Sequence, residues 1–244
     1  MKYTGPPPKQ GLYDPKNEHD SCGIGFVAHI KGVRSNSILR QALEVLVNLD
    51  HRGARGAEPN TGDGAGILIQ IPDRCFREVM AEQGVTLPPA GSYGVGMVFL
   101  PRPHAAHRHF CETAFASIAR DEGLQVLGWR DVPTDNSSLG EWAKAHEPVV
   151  RQVFVSRSPE LEDELAFERK LYVIRKVIER AAGQRDDDIR QHFYIPSLSC
   201  NRVVYKGLLI GTQLQGFYPD LSDPAMTSAF AMVHSRFSTN TLGS

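Results

Sequence analysis

An α+β protein built as a mixed sheet sandwich is the fold class this sequence predicts. Three observations carry that prediction: many short apolar segments of β character, only a few helical stretches between them, and no internal repeat. A regular βαβ array would alternate strand and helix, and this chain does not. Its 244 residues are 41% hydrophobic and 23% charged, enough to bury a substantial core as one large domain or two small ones.

Residues 1–21 are polar, carry Pro6, Pro7 and Pro8, and are dotted with charge (Lys9, Asp14, Lys16, Glu18, Asp20). That composition predicts a poorly ordered leader with no apolar h-region, hence not a secretory signal. A strand is expected over 25–30, with Gly32 marking a turn. Residues 36–49 make the clearest helix: Ile38, Leu39, Ala42, Leu43, Val45, Leu46 and Leu49 cover one broad face, behind candidate N-caps Ser35, Asn36 and Ser37. His51-Arg52-Gly53 ends that helix and opens a glycine-rich loop, Thr61-Gly62-Asp63-Gly64-Ala65-Gly66. Strands follow over 67–71 and 93–100, then a helix over 104–121 that stops at Gly123. Further strands are expected over 124–132 and 149–155. Residues 160–182 are rich in helix formers, yet Leu171-Tyr172-Val173-Ile174 is β-prone, so that boundary stays open. Residues 201–209 resemble a hairpin arm turning near Lys206-Gly207, and 230–234 form a last strand.

Formal net charge is −1 and the basic residues are scattered, which argues against nucleic acid or an anionic membrane as the main partner. No apolar run approaches the ~18–20 residues that cross a bilayer. Cys22, Cys75, Cys111 and Cys200 are far apart, without a Cys-x-x-Cys pair, so neither a disulfide framework nor a zinc ribbon follows. The expectation is a cytoplasmic protein.

Cys22 lies in Asp20-Ser21-Cys22-Gly23-Ile24-Gly25-Phe26, between the leader and the first strand. Cleavage before Cys22 would give its thiol a base of its own, because a free α-amine titrates near ~7.7–8.0. The alternative is a buried structural cysteine near a ragged terminus. His51 offers another base for Cys22, in a hydrolase that keeps its leader; the competing role of His51-Arg52-Gly53 is to close the helix. The Gly62-x-Gly64-x-Gly66 loop precedes a strand and lacks the Gly-Lys-Ser/Thr ending of a phosphate cradle, so a tight backbone turn is the expected use. Gly94-Val95-Gly96 fails the same test. His104, His107, His109 and Cys111 crowd one segment and could hold a transition metal, against a default of a solvated helix face. In His234-Ser235-Arg236-Phe237-Ser238-Thr239-Asn240-Thr241, an arginine at a strand end could clamp a carboxylate, with the Ser238 or Thr239 hydroxyls nearby.

Taken in order, the Cys22 run, His51-Arg52-Gly53-Ala54, Thr61–Gly66 and His234–Asn240 resemble the class II glutamine amidotransferases, most closely the N-terminal glutaminase domain of glutamate synthase large chains. The resemblance covers essentially the whole chain and divides it into a leader, 1–21, and the N-terminal part of the amidotransferase domain, 22–244. It implies a four-layer αββα sandwich of the N-terminal nucleophile hydrolase type, with Cys22 at the start of a central strand. Cys22 would attack the γ-amide of L-glutamine, Arg236 would hold the substrate α-carboxylate, and Thr239 would help at the same end. Arg52 and Gly53 would brace the loops around Cys22; no metal is implied.

The ammonia would feed glutamate synthesis from 2-oxoglutarate in the remaining synthase domains, which use FMN, an iron–sulfur cluster and possibly a small electron-donating subunit. None of those cofactors would be held by this chain. The family pattern continues into a His-Asn-Gly-Glu strand whose Asn and Gly form the oxyanion hole, and no Asn-Gly pair occurs here. The expectation is therefore a fold incomplete at its C-terminus and a glutaminase badly impaired or inactive alone. The alternatives are a non-catalytic fragment and an N-terminal nucleophile hydrolase acting on another amide.

Overall fold

Apolar periodicity and strand pairing account for most of the architecture. The computed structural model describes residues 8–17, 22–56 and 58–237. Helix α1 (Asn36–Asn48) forms where the apolar spacing predicts it and buries Ile38, Leu39, Ala42, Leu43 and Leu46. It lies across strands β1 (Gly23–Ala28) and β8 (Phe230–Ser235). With β2 (Ala65–Gln70) and β7 (Arg202–Gly207) these make a four-stranded sheet in the order β1-β8-β2-β7. The α1 face of that sheet carries Ile67, Ile69, Val203, Tyr205, Ala231 and Val233, all buried, while Ile24, Phe26 and Met232 on the other face are exposed.

A second four-stranded sheet has the order β4-β5-β3-β6, from Gln125–Asp131, Val149–Ser156, Tyr93–Leu100 and Tyr194–Ser199. Helices α3 (Ala105–Asp121) and α5 (Glu164–Arg185) cover one of its faces, packing Phe115, Phe167, Leu171 and Ile174 against Val98, Leu100, Val153 and Val155. Its other face contributes Val95, Met97 and Phe154 to the core shared with α1 and with α2 (Asp73–Ala81). Two antiparallel sheets with helices packed against them thus bear out the α+β sandwich.

The two sheets are tied by a buried polar network. Arg130 on β4 forms a bidentate pair with Asp220, 2.6 and 2.8 Å, in the turn Pro219–Ser222. Gln152 on β5 accepts from Arg130 at 2.8 Å and donates to the Tyr205 hydroxyl of β7 at 3.1 Å, and that hydroxyl donates to Asp220 at 2.9 Å. A buried charge needs such complete pairing.

Several expectations need correction. Both sheets are antiparallel throughout, not mixed. Strands β1 and β2 each begin two residues earlier than expected, because pairing with β8 recruits Gly23 and Ala65, which have little strand preference of their own. The β-prone run Leu171–Ile174 lies inside α5, whose Phe167, Leu171, Ile174, Ile178 and Ala182 keep helical spacing into the core; Asp163 caps the helix through Ala166 N at 2.7 Å. The chain reverses before β7 at Cys200-Asn201, not at Lys206-Gly207. There Ser199 Oγ accepts from the amides of Asn201 and Arg202, at 3.0 and 3.2 Å, and Glu168 accepts from Cys200 N at 2.7 Å.

Strand β6 and helices α2, α4 (Glu141–Ala145), α6 (Asp187–His192) and α7 (Leu214–Phe217) were not anticipated. In α2 the signal was present as Cys75, Phe76, Val79 and Met80 at helical spacing. N-terminal to Cys22, residues 10–13 form a turn bridged between Gln10 and Tyr13, followed by a 3-10 turn at Pro15–Asn17.

Candidate active site

The site is assembled around the C-terminal end of β8, the strand that pairs with both β1 and β2. Gly23 stands opposite Ser235, so Cys22 emerges beside Arg236 and Phe237. Its thiol lies 3.7 Å from the Phe237 carbonyl oxygen, and the Phe237 N–H points at the sulfur from 3.4 Å. Cys22 is exposed, which rules out a buried structural thiol.

Arg236 is fixed through its backbone on both sides. Its N–H donates to the Gly64 carbonyl at 2.8 Å, and its carbonyl accepts from Ala54 N–H at 3.1 Å. Asp63 N–H donates to the Ala54 carbonyl at 3.1 Å, closing the 54–64 loop on itself beside β8. The glycines serve as a tight backbone turn, as expected. Gly64 adopts φ +146°, and a Cβ there would meet the Arg236 side chain at 3.7 Å. A Cβ on Gly62 would approach Ile210 N at 2.7 Å.

Arg52 packs its stem beside β1: a Cβ on Gly23 would lie 2.9 Å from Arg52 Cβ. At Gly53, in contact with β8, a side chain would collide with Ser235. His51 Nδ1 donates to the Asn48 carbonyl at 3.0 Å, consistent with a role in closing α1. Thr239, Ser238 and residues 1–7 and 18–21 lie outside the described residues. The structure therefore brings Cys22, Arg236, Arg52 and Gly53 to one place. The backbone groups of Phe237, Gly64 and Ala54, which complete it, carry no side-chain signature; the alternation Gly23-Ile24-Gly25 was the available hint of close helix–strand approach.

The other three thiols are of a different kind. Burial pushes Cys75, Cys111 and Cys200 up to about 12, which keeps them protonated and inert. His104, His107, His109 and Cys111 do not converge, since Cys111 is buried on the inner face of α3 while His107 turns to Asp188 at 2.6 Å.

The chain belongs to the class II glutamine amidotransferases: the model of that family, "Glutamine amidotransferases class-II", matches residues 22–244. Among similar proteins, the glutamate synthase [NADPH] large chain of Bacillus subtilis is 48% identical over 99% of this chain. The glutamate synthase [NADH] of Schizosaccharomyces pombe is 42% identical over 98%, and the ferredoxin-dependent glutamate synthase of Pyropia yezoensis is 41% identical over 93%. The chain spans only 15%, 11% and 14% of those relatives' lengths. Among the described residues no helix is long and apolar enough to cross a membrane.

Proposed function

We propose that this chain hydrolyses L-glutamine to glutamate and ammonia through a thioester on Cys22, as the glutaminase part of a cytoplasmic glutamate synthase. The observation that carries the reading is the exposed Cys22 thiol against Phe237, one residue beyond Arg236, at the point where the family match begins. Removal of residues 1–21 gives Cys22 a free α-amine. Near neutral pH that amine takes the thiol proton, and the thiolate attacks Cδ of glutamine. The ammonium so formed returns its proton to the departing nitrogen as the C–N bond breaks, releasing ammonia. Water, deprotonated by the same amine, then cleaves the C–S bond and yields glutamate.

Arg236 clamps the substrate α-carboxylate, with Thr239 assisting, while Arg52 and Gly53 hold the loop against β8. Pinning of the Arg236 backbone by Gly64 and Ala54 supports this, because a clamp placed by a rigid strand end loses little entropy on binding.

Ammonia passes to glutamate synthesis from 2-oxoglutarate in the remaining domains of the large chain. There FMN and an iron–sulfur cluster would carry reducing equivalents, received in some cases from a small subunit. The names of the relatives, which specify NADPH, NADH or ferredoxin, support a reductive partner reaction. This chain's own residues do not fit those cofactors. No three cysteines converge among the described residues, and the Gly62–Gly66 loop is occupied by backbone pairing.

The test combines intact mass with an ammonia assay. Carried within a complete large chain, the domain processed to start at Cys22 should release ammonia from glutamine, Cys22→Ser should lower the rate by ~10³-fold or more, and Arg236→Ala should raise KM by roughly 10- to 100-fold. Undiminished turnover by Cys22→Ser would refute the reading.

A further inference from the structure

A cluster unrelated to Cys22 forms where the start of α3 meets the start of α6. His107 Nδ1 lies 2.6 Å from Asp188 Oδ2, while His192 Nδ1 lies 2.8 Å from the Asp188 backbone carbonyl oxygen and 3.0 Å from its Oδ1, so both imidazoles border one carboxylate. The His104 ring stacks edge-on against His107, with centroids 4.9 Å apart. Asp186, which caps α6 by accepting from Asp188 N at 2.8 Å, brings a second carboxylate. Ligand atoms of His107, Asp186 and Asp188 all lie within 4.8 Å of one another.

The charge balance is unusual. The nearby arginines are engaged elsewhere: Arg190 pairs with Asp187 and Arg185 lies over the Phe110 ring. Among the described residues neither Asp186 nor Asp188 has a lysine or arginine ion pair; Asp188 faces imidazoles and Asp186 accepts from the Asp188 amide. Asp186 is the N-cap of α6 and Asp188 lies in its first turn, which sets the two carboxylates side by side.

We propose that His107, Asp186 and Asp188 bind a first-row divalent transition cation, with His192 and His104 at the margin and water completing the coordination. One imidazole and two carboxylates form a donor set suited to Zn²⁺ and its neighbours. Four-coordinate Zn²⁺ with bonds of ~2.0–2.2 Å needs ligand atoms roughly 3.3 Å apart. With ligand atoms up to 4.8 Å apart, the side chains must close by up to about 1.5 Å, and the 2.6 Å contact of His107 with Asp188 must open, movements that the exposed Asp186 and half-buried His107 and Asp188 allow. The ion would clip the start of α3 to α6 across some eighty residues of chain, and so would stabilise the helical layer without touching the Cys22 site.

Sequence spacing could not find this set. Its carboxylates lie far from the His104–Cys111 segment, and that segment contributes His107 as a ligand rather than its cysteine.

The test is calorimetric titration with Zn²⁺ in a Cys22→Ala background, which removes the competing exposed thiol. The expected result is one ion per chain, at least tenfold weaker binding in His107→Gln and in Asp188→Asn, and unchanged binding in His109→Gln on the same helix. Zn²⁺ should also raise the melting temperature of the parent by ~4 °C or more and leave that of both ligand variants unmoved, and tenfold excess Mg²⁺ should not displace it. Absence of saturable Zn²⁺ binding, equal affinity in the ligand variants, weakening by His109→Gln, or displacement by Mg²⁺ would each overturn the proposal. Circular dichroism establishes that each variant is folded, and either ligand variant suffices for the test.

Discussion

Cys22 differs from the other three cysteines in exposure, and chemistry follows from that difference. Thiols held near 12 by burial carry almost no thiolate at neutral pH, whereas Cys22 is open to solvent beside the Phe237 backbone. Brief iodoacetamide treatment at pH 7.5 should therefore alkylate Cys22 alone in the folded chain and all four residues after denaturation, as peptide mass mapping would show. Labelling of Cys75 or Cys111 in the native state would contradict the burial. A second residue-level effect concerns His234. Burial first, then the charges of Arg236 and Lys206, lower its pKa from 6.5. The unfolded chain then binds the proton more readily than the folded one, so His234 contributes stability above pH 6.5 that is lost as pH falls through the lower folded value. Thermal melts from pH 7.5 to 5 should show that loss, modest because the imidazole is only partly covered, and His234→Gln should reduce it.

At the scale of the elements, α1 and β1 meet through glycine. A Cβ on Gly25 would lie 2.5 Å from Val45 Cγ1, so Gly25→Ala must push β1 away from the helix and carry Cys22 with it. The expected cost is about 1–3 kcal/mol in chemical denaturation, with slower alkylation or processing at Cys22; an unchanged midpoint would refute the close packing. This contact also explains what sequence could and could not convey. Helix α1 and strand β3 were legible because burial imposes their spacing directly. The starts of β1 and β2 were not, because Gly23 and Ala65 join the sheet only through β8. In α5, helical spacing overrides the β-prone Leu171–Ile174, and only the packed face of Phe167 to Ala182 reveals it. Cys22 and Arg236 were visible as side chains in short runs. Phe237, Gly64 and Ala54 act through backbone atoms, which any residue possesses.

The molecule as a whole is held at the junction of its sheets by Arg130, Asp220, Gln152 and Tyr205. Asp220→Asn leaves the Arg130 guanidinium buried without its counter-charge, and should cost ~3–5 kcal/mol. Replacing the pair together, Arg130→Met with Asp220→Leu, should recover most of that stability, because the desolvation of both charges disappears. If Asp220→Asn melts like the parent, the network is not what joins the sheets. This scale also separates the site from its neighbours: the His107–Asp188 cluster lies at the ends of α3 and α6, whereas Cys22 and Arg236 lie at the ends of β1 and β8.

The central claim is that Cys22 attacks the γ-amide carbonyl carbon, Cδ, of glutamine while Arg236 holds its α-carboxylate. The most direct measurement is covalent labelling with a glutamine analogue carrying a diazoketone in place of the amide, followed by peptide mass mapping. The account predicts one adduct, on Cys22, prevented by excess L-glutamine and strongly slowed in Arg236→Ala. An adduct on another residue, or labelling of Cys22 that glutamine does not protect and Arg236→Ala does not slow, would contradict it.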